Sequence, residues 1–135
     1  MIYVDTSVVL AHLLAEVRHP PAGLWGETLV ASRLVEYEVW TRVHARKLFD
    51  SHGEAVQALI GRIALLELSP PVLARALAAF PVPVRTLDAL HLASIDFLRR
   101  QGQSVELATY DRRMTEAART LGFPIRDLTV RARCT

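Results

Sequence analysis

The stretch Met1-Ile2-Tyr3-Val4-Asp5-Thr6-Ser7 decides how the rest of the chain is read. Ile2, Tyr3 and Val4 form a short apolar run of β-formers, the pattern of a buried strand. The run stops at Asp5, and the hydroxyls of Thr6 and Ser7 are placed to cap a helix opening near Val8. An aspartate at the carboxyl end of the first strand of an α/β sheet stands at the edge where such folds bind ligands. The ordinary alternative is that Asp5 simply caps the helix with Thr6. The choice turns on whether other acids return to the same edge.

Working outward, the chain punctuates itself clearly. Pro20-Pro21 ends the first helix region and opens a short helical piece around Trp25. Thr28 to Ala31 reads as a second strand, followed by a helix from Leu34 to about Lys47. Asp50-Ser51 with Glu54 is a capping-box pattern for a helix running to about Ala64. Leu65 to Leu68 is either its end or a short strand. Ser69-Pro70-Pro71 starts a helix over Val72 to Phe80, and Thr86 starts a long one, Leu87 to Gln101, closed by Gly102. Val105 to Thr109 reads as a strand, Arg112 to Leu121 as a helix, and Pro124 to Leu128 as a last strand. Strands alternating with helices predict an α/β fold with a largely parallel sheet.

The composition narrows the function classes. With 135 residues and 51% hydrophobic side chains, the chain is sized for one domain, 1–135, with a true core, and is not a disordered tail. His12, Arg62 and Arg75 interrupt the apolar stretches before the ~18 residues of a membrane span. The opening residues lack a secretory leader pattern, so a cytoplasmic location is expected. Cys134 has no intrachain partner, which suits a reducing compartment and excludes a cysteine-built zinc site. The net charge is +2, and of the 16 basic side chains only Lys47 is a lysine. Arginine forks suit phosphate, so nucleic acid is a permitted partner, although solvated surface arginines are the simpler explanation. The basic stretch from Arg126 to Arg133 is open to either reading.

Three further acids fall where helices follow strands or begin a major helix: Glu38, Asp88 and Asp111. Each alone has a local explanation, as a dipole partner, a cap, or, for Glu38, a pair with Arg42 four residues on. With Asp5 they all point to one edge of a parallel sheet, where helix N-termini also present N–H groups to phosphate. Gathered carboxylates repel and raise one another's pKa unless a cation is present. Hard oxygen ligands in a partly open site suit Mg²⁺ or Mn²⁺, and the reaction natural to such a site is phosphodiester hydrolysis.

These segments resemble a known family. Asp5-Thr6-Ser7 after an N-terminal strand, Glu38 within Ser32-Arg33-Leu34-Val35-Glu36-Tyr37-Glu38-Val39, Leu87-Asp88-Ala89-Leu90-His91-Leu92-Ala93, and Thr109-Tyr110-Asp111-Arg112-Arg113 look like PIN-domain proteins. Among these, they look most like VapC toxins of toxin–antitoxin pairs. The resemblance runs over essentially the whole chain. It implies a three-layer α/β/α domain and an Mg²⁺- or Mn²⁺-dependent endoribonuclease with Asp5, Glu38, Asp88 and Asp111 as its acidic site. It also implies an RNA substrate, inhibition by a VapB-like antitoxin, and a homodimer. Glu36 and Glu38 are about 200° apart on a helix, so only one can face the site; the family pattern selects Glu38.

Other residues are candidates for supporting roles. Thr6, Ser7 and Thr109 can orient carboxylates. Asp96, about 80° round the helix from Asp88, can sit behind the site or on a solvated face. Arg42, Arg46, Arg112 and Arg113 can hold phosphates or pair locally. His91 can act as a base, but histidine on an apolar helix is more often a packing residue. Trp25, Trp40, Leu48 and Phe49 read mainly as core, with part of the set a candidate groove for an antitoxin helix. Two other phosphate-handling folds are disfavoured by single residues. A haloacid-dehalogenase-type phosphatase needs an acid where Ser7 stands, and a receiver domain needs a late lysine. The rival of a different class is a PIN fold that binds RNA or protein without cutting, which a degenerate acid set would mark.

Overall fold

Successive side chains of a strand leave opposite faces of the sheet, so the triplet Ile2-Tyr3-Val4 sorts the helices into two layers. The computed structural model describes residues 1–130; Arg131, Arg133 and Cys134 lie outside the described residues. Four strands, β1 (Ile2–Val4), β2 (Leu29–Ser32), β3 (Ala64–Leu66) and β4 (Glu106–Ala108), pair in the order β3-β2-β1-β4. Every pairing is parallel, and Ile2 lies opposite both Leu29 and Glu106. The helices are α1 (Thr6–Leu13), α2 (Leu34–Ala45), α3 (Phe49–Ile60), α4 (Pro70–Leu77), α5 (Thr86–Arg100) and α6 (Arg112–Thr120), with a 3-10 turn at Ala22–Gly26.

Ile2, Val4, Leu29, Ala31 and Ala108 bury against Val8 and Val9 of α1, Val35, Val39 and Val43 of α2, and Val56, Leu59 and Ile60 of α3. Tyr3, Val30 and Leu107 face the other way, onto Leu92, Ile95 and Leu98 of α5 and Met114, Ala117 and Ala118 of α6. The result is the three-layer α/β/α sandwich, with α4 laid against α5. From β1 the chain steps outward through β2 to β3, then returns to β4 on the other side of β1. That reversal makes the carboxyl end of β1 the topological switch point, where open parallel sheets bind ligands.

Several expected boundaries move. The first helix begins at Thr6, capped by Asp5, which accepts from the N–H groups of Ser7 and Val8; Thr6 and Ser7 are not its caps. The Ser51–Glu54 capping box is not used. Helix α3 starts earlier, at Phe49, after Lys47 turns the chain at φ 56°, and the Ser51 hydroxyl donates to Leu48 O instead. It ends at Ile60, so Ala64–Leu66 is free to pair with β2 as a strand. Helix α4 begins at Pro70 and ends at Leu77, three residues before Phe80. The last strand shrinks to one parallel bridge, Leu107 to Ile125. Pro124 brings no N–H to a ladder, and Asp127 Oδ1 accepts the Thr129 N–H at 2.8 Å, curling the backbone locally. Arg126, from the basic stretch, is ion-paired with Glu27 and Glu106.

Candidate active site

The switch point places Asp5 where β1 hands over to α1. Its backbone is extended (φ −91°, ψ 174°), the conformation of an N-cap, so capping and site roles coincide in one residue. Only 5% of Asp5 is exposed. Its Oδ1 accepts from the Ser7 N–H at 3.0 Å and the Ser7 hydroxyl at 2.6 Å; its Oδ2 accepts from the Thr109 hydroxyl at 2.6 Å. These donors are themselves tied down. Tyr110 N–H donates to Ser7 Oγ at 3.0 Å, and Asp111 N–H donates to Thr109 Oγ1 at 2.9 Å. Adjacent parallel strands thus present a loop each, and the two loops lock one carboxylate between them.

Glu38, on α2, lies beside Thr6, whose hydroxyl donates to Oε1 at 3.0 Å. Nε2 of His91, on α5, is 2.7 Å from the same oxygen. Asp88 enters from the first turn of α5. Asp111 caps α6, its Oδ1 accepting from the N–H groups of Arg113 and Met114 at 2.9 and 3.2 Å. All four acids, with Thr6, Ser7, Arg42, Arg18, His91 and Tyr110, line one cavity of about 410 Å³. Glu36 does not enter it: it pairs with Arg33 at 3.5 Å and lines a different groove.

The electrostatics follow from this gathering. Burial raises the Asp5 carboxyl above its ordinary range, partly offset by the Ser7 and Thr109 hydroxyls and by His91. Burial also raises Asp88, and the Asp111 and Glu38 carboxylates push it further up. Among the described residues, no three acid, histidine or cysteine side chains already meet as a closed metal-binding group. The acids surround a space rather than a point. Four carboxylates around one space, with Asp88 pushed up by Asp111 and Glu38, fit a hard ion that keeps most of its own waters and needs only one or two protein carboxylates.

Some sequence candidates fall elsewhere. Asp96 is not behind the site: two turns of α5 carry it roughly 12 Å along the axis from Asp88, and its Oδ2 is held by Arg75 at 3.1 Å and Arg100 at 3.0 Å. Arg112 and Arg46 are exposed and do not line the cavity; Arg113 lines an adjoining one with Asp88 and Glu116. Trp25 is core. Sequence reading missed Glu16, Arg18 and Tyr110, which also line the cavity, and the Tyr3 hydroxyl behind His91. A tyrosine in a fully buried strand was the available signal for the last, since its hydroxyl must find a partner. Nothing local marks Glu16 or Arg18, which follow α1.

The PIN domain family model matches residues 2–120, and the chain belongs to that family. Among its relatives is Ribonuclease VapC47 of Mycobacterium tuberculosis (strain CDC 1551 / Oshkosh), 32% identical over 130 residues, 91% of this chain and 93% of that protein. Ribonuclease VapC46 of Mycobacterium tuberculosis (strain ATCC 25618 / H37Rv) is 34% identical over 134 residues, covering 92% and 95%. The crystal structure of Mycobacterium tuberculosis VapC20, a Sarcin-Ricin loop cleaving toxin, shares the fold with a TM-score of 0.61 at 19% identity, over 87% of this chain and 95% of that one.

Proposed function

We infer that the protein is a toxin endoribonuclease of the VapC type, hydrolysing RNA phosphodiester bonds with a divalent cation, Mg²⁺ or Mn²⁺. The observation that carries the reading is the convergence of Asp5, Glu38, Asp88 and Asp111, from four separate elements, on one cavity at the switch point. The near full-length likeness to ribonucleases of that type supports it. A divalent ion held by these carboxylates would supply the Lewis acid, acidifying a water and stabilising charge on the phosphoryl oxygens.

Each side chain then has a distinct task. Asp5, held by the Ser7 and Thr109 hydroxyls, is the most buried of the acids and sets the ion's place. Asp88 and Asp111 add the charge whose repulsion the ion relieves. Glu38 completes the opposite wall, directly or through water. Arg42 and Arg18 are exposed cations on the cavity lining, suited to hold the RNA backbone on either side of the scissile phosphate.

A VapB-like antitoxin, homodimerisation and a cytoplasmic location are part of the same proposal. No helix among the described residues is long and apolar enough to cross a membrane. For the antitoxin we propose the groove lined by Tyr37, Trp40 and His44, whose aromatic rings suit the apolar face of a helix. The deciding experiment is cleavage of a labelled RNA pool by antitoxin-free protein, with Mg²⁺ or Mn²⁺ against chelator and Asp5→Asn alongside. Metal-dependent cutting that the variant loses is the expected result. RNA binding without cutting by folded protein that takes up Mn²⁺ would move the assignment to a binding module.

A further inference from the structure

Three polar side chains from three elements form a line across the carboxyl end of the sheet. Tyr3 leaves β1 toward the α5–α6 layer, and its hydroxyl lies 2.7 Å from Nδ1 of His91. Nε2 of the same ring lies 2.7 Å from Oε1 of Glu38. Tyr3 is fully buried and His91 is 3% exposed, so the contacts between them are sheltered from water.

The protons on this line can be assigned by counting. The Glu38 carboxylate can only accept, so Nε2 of His91, 2.7 Å from its Oε1, carries the proton that joins them. In that tautomer Nδ1 is bare and accepts the proton of the Tyr3 hydroxyl, whose oxygen also accepts from the Ser32 N–H at 3.1 Å. Thr6 donates to the same Glu38 oxygen at 3.0 Å. The His91 and Thr6 bonds both converge on Oε1, leaving Oε2 for what the cavity holds. Without them Glu38, on an open stretch of α2, would be drawn to Arg42 one turn on, a pairing the helix spacing favours.

We propose that His91 is a positioning residue of the acidic site: oriented by the buried Tyr3 hydroxyl, its Nε2–H holds Glu38 so that the second carboxylate oxygen serves a divalent ion or that ion's water. The proposal rests on Glu38 belonging to an ion-binding site, and it extends that site two residues inward, through α5 to the middle of β1. It also gives the buried strand residue Tyr3 a task beyond packing.

Two measurements test it, one of them independent of ion and RNA. Nitrogen-15 spectra of the His91 ring in ion-free wild-type protein should show Nε2 protonated and Nδ1 bare, a preference that Tyr3→Phe weakens. Calorimetry with Mn²⁺ alone should show His91→Leu weakening binding by ~10–100-fold, the usual effect of removing a partner behind a ligand. His91→Gln, whose amide N–H can reach toward Glu38, should recover most of that loss. In a Glu38→Gln background His91→Leu should cost nothing further. Tyr3→Phe, which keeps the ring volume, serves if His91→Leu does not fold, with a loss of about 3- to 10-fold expected. A ring protonated at Nδ1, or Mn²⁺ binding within twofold of wild type in His91→Leu, overturns the proposal alone. Wild-type protein that takes up no Mn²⁺ while showing the Nε2–H tautomer overturns the ion-site reading, and the proposal with it.

Discussion

Helix α2 serves two hollows, and they differ in kind. On one side Glu38 lines the acidic cavity of about 410 Å³; on the other Glu36, Tyr37, Trp40 and His44 line a groove about twice as large, near 830 Å³. The larger hollow has the weaker chemistry. Its walls come mainly from α2 and α3, neighbours in sequence, and its acid Glu36 pairs with Arg33 three residues away, while Arg33 also reaches Glu67. Trp40 stacks on His44, and His44 on Phe49, which makes a firm contact surface. The smaller hollow draws residues from the end of β1, α1, α2, α5, the loop after β4 and α6. Beside local caps, Asp5 and Glu38 are also held by partners 32 to 104 residues away. A reacting site needs charges of like sign forced together, which only long-range packing can do; a docking groove needs shape and apolar area.

The largest effect expected on the cavity side is from Asp5→Asn. Loss of the central carboxylate should reduce RNA cleavage by at least ~10³-fold, since it removes several kcal/mol of transition-state stabilisation. The fold should survive, because asparagine caps α1 as well as aspartate does. A folded variant with near-native turnover would dissolve the contrast between the two hollows. Circular dichroism and a labelled-RNA assay measure both halves.

Asp88→Asn should act in two directions at once. Cleavage should fall by ~10²-fold, on the scale of one lost charge contact at a reacting centre. Yet the ion-free protein should melt at a higher temperature at neutral pH, because a carboxylate raised by burial and by Asp111 no longer has to be ionised. A lower melting temperature would show that Asp88 is held by attraction rather than repulsion.

The pH dependence follows from the same shifts. Asp5 and Asp88 have folded pKa values above their unfolded ones, so between the two the folded state binds more protons. Their contribution to the stability of the ion-free protein is therefore complete below the ordinary carboxylate pKa of 3.8 and is lost as pH rises through the raised folded values. Mn²⁺ binding runs oppositely, weakening as pH falls through that raised range, earlier than for unperturbed carboxylates. Thermal unfolding and Mn²⁺ calorimetry over one pH series check both signs. Affinity that stays flat down to the ordinary carboxylate range would break the link.

The smallest effect on chemistry belongs to the groove. Tyr37, 64% exposed on α2, can be replaced by alanine with cleavage changed by less than about twofold and stability by about 0.5 kcal/mol. Antitoxin affinity should drop ~10-fold or more, as for an aromatic anchor. An unchanged affinity would remove the groove from the antitoxin interface and leave the acidic cavity untouched.

Much of this was readable in the chain, for reasons that differ by residue. Asp5 was legible because it ends a three-residue apolar run, and Asp111 because it sits between a strand and a helix. Glu38 against Glu36 was legible from helical periodicity joined to the family pattern. Between the two places open to Asp96, behind the site or on a solvated face, the angle round the helix could not choose, because it says nothing of the distance along it. Eight residues carried it away from Asp88 to Arg75 and Arg100. The Ser51–Glu54 box failed because a left-handed Lys47 lets α3 start early. His91 looked like packing and is indeed buried, but the same ring also reaches Glu38.

The sequence by itself determined the alternation of strands and helices, the apolar faces that make two layers, and the placing of three acids at the head of their helices with Glu38 one turn into α2, because periodicity and capping are local. Only the tertiary structure decided that Thr109 would lock Asp5, that Tyr3 would reach Glu38 through His91, and that Arg18 would return to the same cavity. Those meetings span 104, 88 and 53 residues for the Thr109–Asp5, Tyr3–His91 and His91–Glu38 bonds. No local preference encodes such distances; they follow from the strand order β3-β2-β1-β4, which brings β1 and β4 side by side.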